Sequence, residues 1–193
     1  YTEWRPDILR LATKYNMEFL YAIPFNYNIR NIPLEDGTWP FDEWDRTETR
    51  IGDEIYGVHE ARLLLEEGHK LSLHGYNHRS LLGEPVNKND HNFWFTTDEG
   101  ERETGSFETM RSSVEAARRR WITDGLGPLP KTYIAPNNKI DGEGLYALRE
   151  AFPEIRIIAS DITIPFDKGG RLEYGEDPLL PRFFDLPRWT SGY

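Results

Sequence analysis

A chain of 193 residues with 38% hydrophobic content is long enough for one domain with a substantial core and short for two. Its net charge of -10 and pI near 5.0 argue against a nucleic-acid partner, which needs clustered Lys and Arg, and no apolar stretch approaches the roughly 20 residues of a membrane span. The absence of cysteine removes disulfides, thiolate nucleophiles and thiolate metal sites together, so any metal must be held by His, Asp or Glu.

Residues 5 to 16 (RPDILRLATKYN) place Pro6 near a helix start, Ile8, Leu9, Leu11 and Ala12 on one stripe and Asn16 at the end, which predicts a short amphipathic helix. The apolar run 17 to 25 (MEFLYAIPF) predicts a buried parallel strand. Residues 26 to 56 have no clean period and carry Pro33, Trp39, Pro40 and Trp44 among many acids. An excursion of this length is either an ordered wall beside a site or a cover over a barrel end. A helix over 55 to 67 follows, stopped by Gly68 at a C-cap position, and then a short buried strand over 70 to 73.

A second irregular excursion, 83 to 105, holds His91, Trp94 and Asp98. His91 is a third metal ligand if this loop folds back, and a surface residue otherwise. Ser106 reads as the N-cap of a helix over 107 to 123 that buries Met110, Val114, Ala117 and Trp121. The basic run Arg118 to Arg120 falls in this helix as a solvated face. GLGPLP breaks it, a strand over 131 to 135 ends in Pro136, Asn137 and Asn138, and a helix over 142 to 152 leads to a strand over 155 to 160 closed by Asp161. The tail, 161 to 193, is rich in Pro, Gly and Asp, with a strand over 182 to 186 and a loop from Pro187 onward. The alternation of helix and strand predicts an α/β fold with a parallel sheet, either a barrel or an open doubly wound sheet, in a single domain over 1 to 193.

The chemistry concentrates in residues 66 to 82, EEGHKLSLHGYNHRSLL. His74 and His78 stand at i and i+4 just past a strand, where α/β folds place their sites. If the chain coils as it leaves Leu73, both imidazoles project from one face and supply two ligands to a zinc-type ion. The alternative is a structural pair bonded to backbone. Asn77, Tyr133, Asn137, Asn138 and Asp161 end strands or follow these histidines and are candidates for substrate contacts, although Asn and Asp equally serve turns. Aromatics make up 13% of the chain. They serve mainly the core, but Tyr and Trp also stack on sugar rings.

EEGHKLSLHGYNH resembles the second motif of the NodB-homology polysaccharide deacetylases (carbohydrate esterase family 4 and its distant relatives), in which a glycine-histidine precedes a short strand ending in H-x3-H. LATKYNMEFLYAIPF is similar to the helix and strand after that family's first motif, and KTYIAPNN and GLYALREAFPEIRIIASD to its third-motif strand and the unit that follows. The resemblance implies a distorted (β/α) barrel, incomplete in this chain, that binds a divalent metal, most often zinc, through an Asp and the two histidines. It further implies hydrolysis of N-acetyl groups from an amino-sugar polysaccharide, with His74 and His78 as metal ligands and an extracellular or cell-surface location.

The sequence departs from the family at three places. The aspartate pair of the first motif would lie upstream of Arg5, Ile134 stands where the third motif has an arginine, and the late histidine acid would lie beyond Tyr193. With no initiator Met, no signal peptide and no first strand at its start, the chain is expected to be a fragment whose catalytic base and acid lie outside it. A barrel lacking its first strand has an open seam, which favours association with a partner chain or a second copy in a homo-oligomer. Two other readings stand beside the deacetylase: a catalytically degenerate carbohydrate-binding or scaffold domain of the same fold, and a different metal-dependent hydrolase on a similar barrel.

Overall fold

The computed structural model describes residues 5–25, 50–51, 54–84, 95–96, 102–161, 175–176 and 183–188. In chain order the main elements are α1 (Arg5–Tyr15), β1 (Leu20–Ile23), β2 (Arg50–Ile51), β3 (Glu54–Ile55), α2 (Tyr56–Glu66) and β4 (Lys70–Leu73). They continue with β5 (Phe95–Thr96), β6 (Arg102–Glu103), α3 (Phe107–Thr123), β7 (Thr132–Ile134), α4 (Gly142–Ala151), β8 (Ile157–Asp161), β9 (Gly175–Glu176) and β10 (Phe184–Arg188). The principal sheet has the order β1-β4-β7-β8-β10-β9. Its first five strands are parallel and β9 runs antiparallel to β10.

Two helix-to-strand junctions are built alike. At the end of α1, Asn16 takes φ 51, its N–H bonds Thr13 O at 3.3 Å, and the Met17 N–H bonds Ala12 O at 2.8 Å. At the end of α2, Gly68 takes φ 81, its N–H bonds Leu65 O at 3.0 Å, and the His69 N–H bonds Leu64 O at 3.0 Å. Both are Schellman caps, in which a left-handed residue lets the next two amides satisfy the last helical carbonyls. Each delivers the chain into a strand, and these strands pair in register from Leu20↔Lys70 to Ile23↔Leu73.

The register sorts the two sheet faces, since paired residues and their i±2 neighbours share a side. Ile23, Leu71, Leu73, Tyr133 and Ile158 fall on one face, buried in a single cluster with Val58 and Ala61 of α2, Met110, Val114, Ala117 and Trp121 of α3, and Leu145 and Leu148 of α4. Each such aliphatic side chain contributes roughly 1.5–3 kcal/mol through removal from water. The other face carries Ala22, Ser72, Thr132, Ile134 and Ala159.

α3 begins where the sequence predicts, with the Ser106 side chain accepting the Thr109 N–H at 3.1 Å. α4 is capped by Asp141, whose carboxylate accepts the Gly144 N–H at 2.8 Å and the Gly83 N–H at 2.7 Å, tying the helix to the segment that leaves β4. Gly144 allows this approach, because a Cβ there would lie 2.3 Å from Leu81 O. Arg118, Arg119 and Arg120 each face an acid, Glu154 at 2.7 Å, Glu115 at 3.6 Å and Asp124 at 3.0 Å, as a solvated helix face allows.

Four expectations change. The buried strand over 17 to 25 contracts to Leu20–Ile23, with Met17 and Leu20 exposed, because the Schellman turn occupies its first residues. Pro187 lies inside β10 rather than opening a loop. β9 pairs only Phe184 and Asp185, so at Pro187 the strand has a described neighbour on one side only, where proline is tolerated. Within the two long excursions the described residues form short antiparallel ladders, β2 with β3 and β5 with β6. The chain after Leu73 is not helical. Among the described residues no helix is long and apolar enough to cross a membrane, and β1 and β9 are the two edges of the sheet.

Candidate metal centre

Because β1, β4, β7, β8 and β10 are parallel, their C-terminal ends line one edge, and the histidine segment leaves from there. The His74 N–H extends the β1–β4 ladder by bonding Ile23 O at 3.1 Å. Its ring Nδ1 lies 2.7 Å from Ile134 O at the end of β7. A carbonyl only accepts, so Nδ1 is the donor of this bond. This backbone bond is the tie that the structural reading of the pair expects, and bonds of this kind also orient imidazoles in metal sites generally.

The residues that follow turn back on themselves. Gly75 has φ 78 and His78 has φ 59, values an α-helix does not admit, so a left-handed turn rather than a helical one brings the two rings together. Their centroids are 4.7 Å apart with planes at 76°. A Cβ at Gly75 would lie 3.4 Å from Pro136 Cγ and 3.6 Å from Arg79 O, which shows how closely this turn packs on the neighbouring one. That neighbour is Pro136–Asn138. The Asn138 N–H bonds Ala135 O at 3.0 Å and the Lys139 N–H bonds Pro136 O at 3.1 Å. Asn137 (φ 50) and Asn138 (φ 58) are both left-handed, a conformation that asparagine tolerates better than most residues. The fully buried Ser80 joins the two turns, donating its hydroxyl to Pro136 O at 2.9 Å and receiving Asn137 Nδ2 at 3.4 Å.

The structure thus gathers His74, Asn77, His78, Asn137 and Asn138 into two adjoining turns at one edge of the sheet. Asp161 closes β8 at the same edge, in register with Arg188 of β10. Tyr133 is not brought to this group. It shares the helix-facing side of the sheet with its register partners Leu73 and Ile158, is fully buried, and burial pushes its phenol up from the ordinary value. His91, Trp94 and Asp98 lie outside the described residues. Sequence reasoning did not single out Gly75, Arg79, Ser80 or the Ile134 carbonyl. Arg79, next to His78, stands out only once the structure shows it 2% exposed, since a buried guanidinium demands acceptors around it.

Imidazole nitrogens are among the donors a zinc-type ion takes, and here two such rings stand 4.7 Å apart between centroids. Among the described residues no group of three His, Asp or Glu lies together. A cavity of about 720 Å3 lies at the opposite end of β1 and β4, against Arg10, Thr13, Asn16, Glu18, Glu67 and His69, and so is separate from the histidine pair.

A solved de-N-acetylase from Aggregatibacter actinomycetemcomitans is similar in structure, with a TM-score of 0.50 and 11% sequence identity over 86% of this chain. This chain spans 63% of that one. The likeness shows a deacetylase-like α/β fold. No curated protein matches. A family described as "Uncharacterised protein conserved in bacteria (DUF2194)" matches residues 1–193, and the chain belongs to that family.

Proposed function

We propose that this chain forms the core of a metal-dependent hydrolase that removes N-acetyl groups from an amino-sugar polysaccharide at the cell surface or outside the cell. Its parallel sheet would be one arc of a distorted (β/α) barrel. The observation that carries the reading is the His74–His78 pair at the C-terminal edge of the sheet, with His74 Nδ1 donating to Ile134 O and the two ring centroids 4.7 Å apart. The deacetylase-like fold supports it.

In this reading His74 and His78 hold a divalent ion, most simply zinc, at two positions and leave the others to a carboxylate and to substrate. When bound, such an ion supplies a Lewis acid against the acetyl carbonyl. The chain's own part is orientation. Ile134 O keeps the proton of His74 on Nδ1, and the left-handed turn holds His78 beside it. The amides of Asn77, Asn137 and Asn138 would donate to and accept from sugar hydroxyls and the acetamide. Asp161 contributes from the end of β8. Tyr133 acts indirectly, by packing the strand that presents the Ile134 carbonyl.

The test is zinc content by elemental analysis together with acetate release from an N-acetylated amino-sugar polymer. His74→Ala and His78→Ala are each expected to abolish both, and a variant that kept zinc and activity would overturn the reading. A second reading, a carbohydrate-binding domain of the same fold, is favoured by the lack, among the described residues, of a third His, Asp or Glu beside the pair. Polymer binding without zinc or acetate release would decide for it.

A further inference from the structure

We propose that Ser80 is a positioning residue that sets His78 against the same stretch, Ile134–Pro136, that sets His74, so that one short segment is the template for both rings. The inference rests on the metal-centre reading above and deepens it. His74 is tied to this template directly, Nδ1 to Ile134 O at 2.7 Å. His78 is tied through the residue two places on: Ser80, fully buried, donates its hydroxyl to Pro136 O at 2.9 Å, and Asn137 Nδ2 reaches the same hydroxyl at 3.4 Å.

Two further observations make this tie consequential. His78 has φ 59, a conformation that a histidine backbone holds only when its surroundings impose it. The loop also has little freedom where it rejoins the fold, because the Asp141 N–H bonds Leu81 O at 3.1 Å and Leu81 bridges Ile140. With Leu81 fixed, the Ser80 hydroxyl determines how the preceding residues are turned toward β7. The Ile134 and Pro136 carbonyls lie two residues apart on a turn that is itself anchored to β8 by the Ala135 N–H bonding Ala159 O at 2.9 Å. Any shift of that template would therefore move both rings together and preserve their spacing.

The experiment compares Ser80→Ala with Ser106→Ala, a helix-cap loss far from the turn, by two readouts. In the metal-free chain, the imidazole-to-imidazole NOE between His74 and His78 is expected to vanish in Ser80→Ala and persist in Ser106→Ala, while the His74 Nδ1 proton stays hydrogen-bonded in both. By zinc titration, Ser80→Ala is expected to bind about 10-fold more weakly, the scale on which supporting hydrogen bonds act on a metal site, with Ser106→Ala unchanged. Retention of the NOE and of zinc affinity in Ser80→Ala, or their equal loss in both variants, would overturn the proposal. If Ser80→Ala does not fold, Asn137→Gly removes the amide while keeping a residue suited to φ 50; a smaller loss in the same direction supports the proposal and an unchanged pair overturns it. Failure of the unmodified chain to bind zinc would strike the metal-centre reading alone, and the NOE comparison would still decide on Ser80.

Discussion

At the N-terminal end of the sheet, the left-handed residues Asn16 and Gly68 are held by amides that bond carbonyls at most five residues back. At the C-terminal end, Gly75, His78, Asn137 and Asn138 are also left-handed, but the ties between their turns reach across the sequence, from His74 to Ile134 over 60 residues and from Ser80 to Pro136 over 56. The first set is self-sufficient and follows from local composition. The second exists only once the strands have assembled, and it carries a histidine and two asparagines where glycine would be easier. Strain held in place by tertiary contacts is a mark of functional sites, and here it coincides with the candidate metal ligands.

The contrast breaks most visibly at Gly144, since Leu81 immediately follows Ser80 and a Cβ at Gly144 would lie 2.3 Å from Leu81 O. Gly144→Ala should destabilise by about 3 kcal/mol, a fall in melting temperature of roughly 10 °C for a chain of this size, with loss of the His74–His78 ring contact. A shift of only a degree or two would mean that the loop end is not fixed by this packing. The two ends can then be set against each other with opposite substitutions. Gly68→Ala meets no atom within 4 Å, so its cost of about 1 kcal/mol is backbone strain alone, and the histidine pair should be untouched. His78→Gly removes strain instead: stability should hold or rise by up to about 1 kcal/mol, while zinc binding disappears. A marked loss of stability in His78→Gly would show that the contacts of the His78 side chain outweigh the strain of its backbone.

The smallest effect is a control away from both ends. Arg118 donates to both Glu154 oxygens, at 2.7 and 3.2 Å, and this hydrogen bonding first, followed by a backbone hydrogen bond and the guanidinium charge, holds the Glu154 carboxyl below its ordinary value against its partial burial. A depressed carboxyl stabilises the fold above the ordinary carboxylate range and ceases to as pH falls through the depressed value. Arg118→Gln should therefore flatten the acid limb of a stability profile by less than about 1 kcal/mol, as suits a half-exposed pair, and leave the ring contact intact. An unchanged acid limb would show that the pair contributes no pH dependence.

The same contrast explains what could be read from the residues. Ser106, Gly68 and the stripe Met110, Val114, Ala117, Trp121 were legible because caps and helical periodicity are local signals. The histidine pair was legible as a spacing, but its geometry was not: Gly75 and His78 reach it by a left-handed turn that no short-range rule requires. Ile134 O was invisible, since a backbone carbonyl has no identity in sequence. The side on which Tyr133 falls was not legible, because a three-residue strand gives too little alternation to tell its faces apart, and only pairing with Leu73 and Ile158 assigns it.

The matched helix caps ahead of β1 and β4 have a consequence for how the chain tolerates change. Each helix, cap and strand start is complete within its own stretch of sequence, so the long connection between them has only to let two finished units meet. The entropy of closing such a connection grows only logarithmically, by roughly 0.6 kcal/mol for each doubling of length. The β1–β4 register, from Leu20↔Lys70 to Ile23↔Leu73, is accordingly set by the two capped units themselves rather than by how many residues join them.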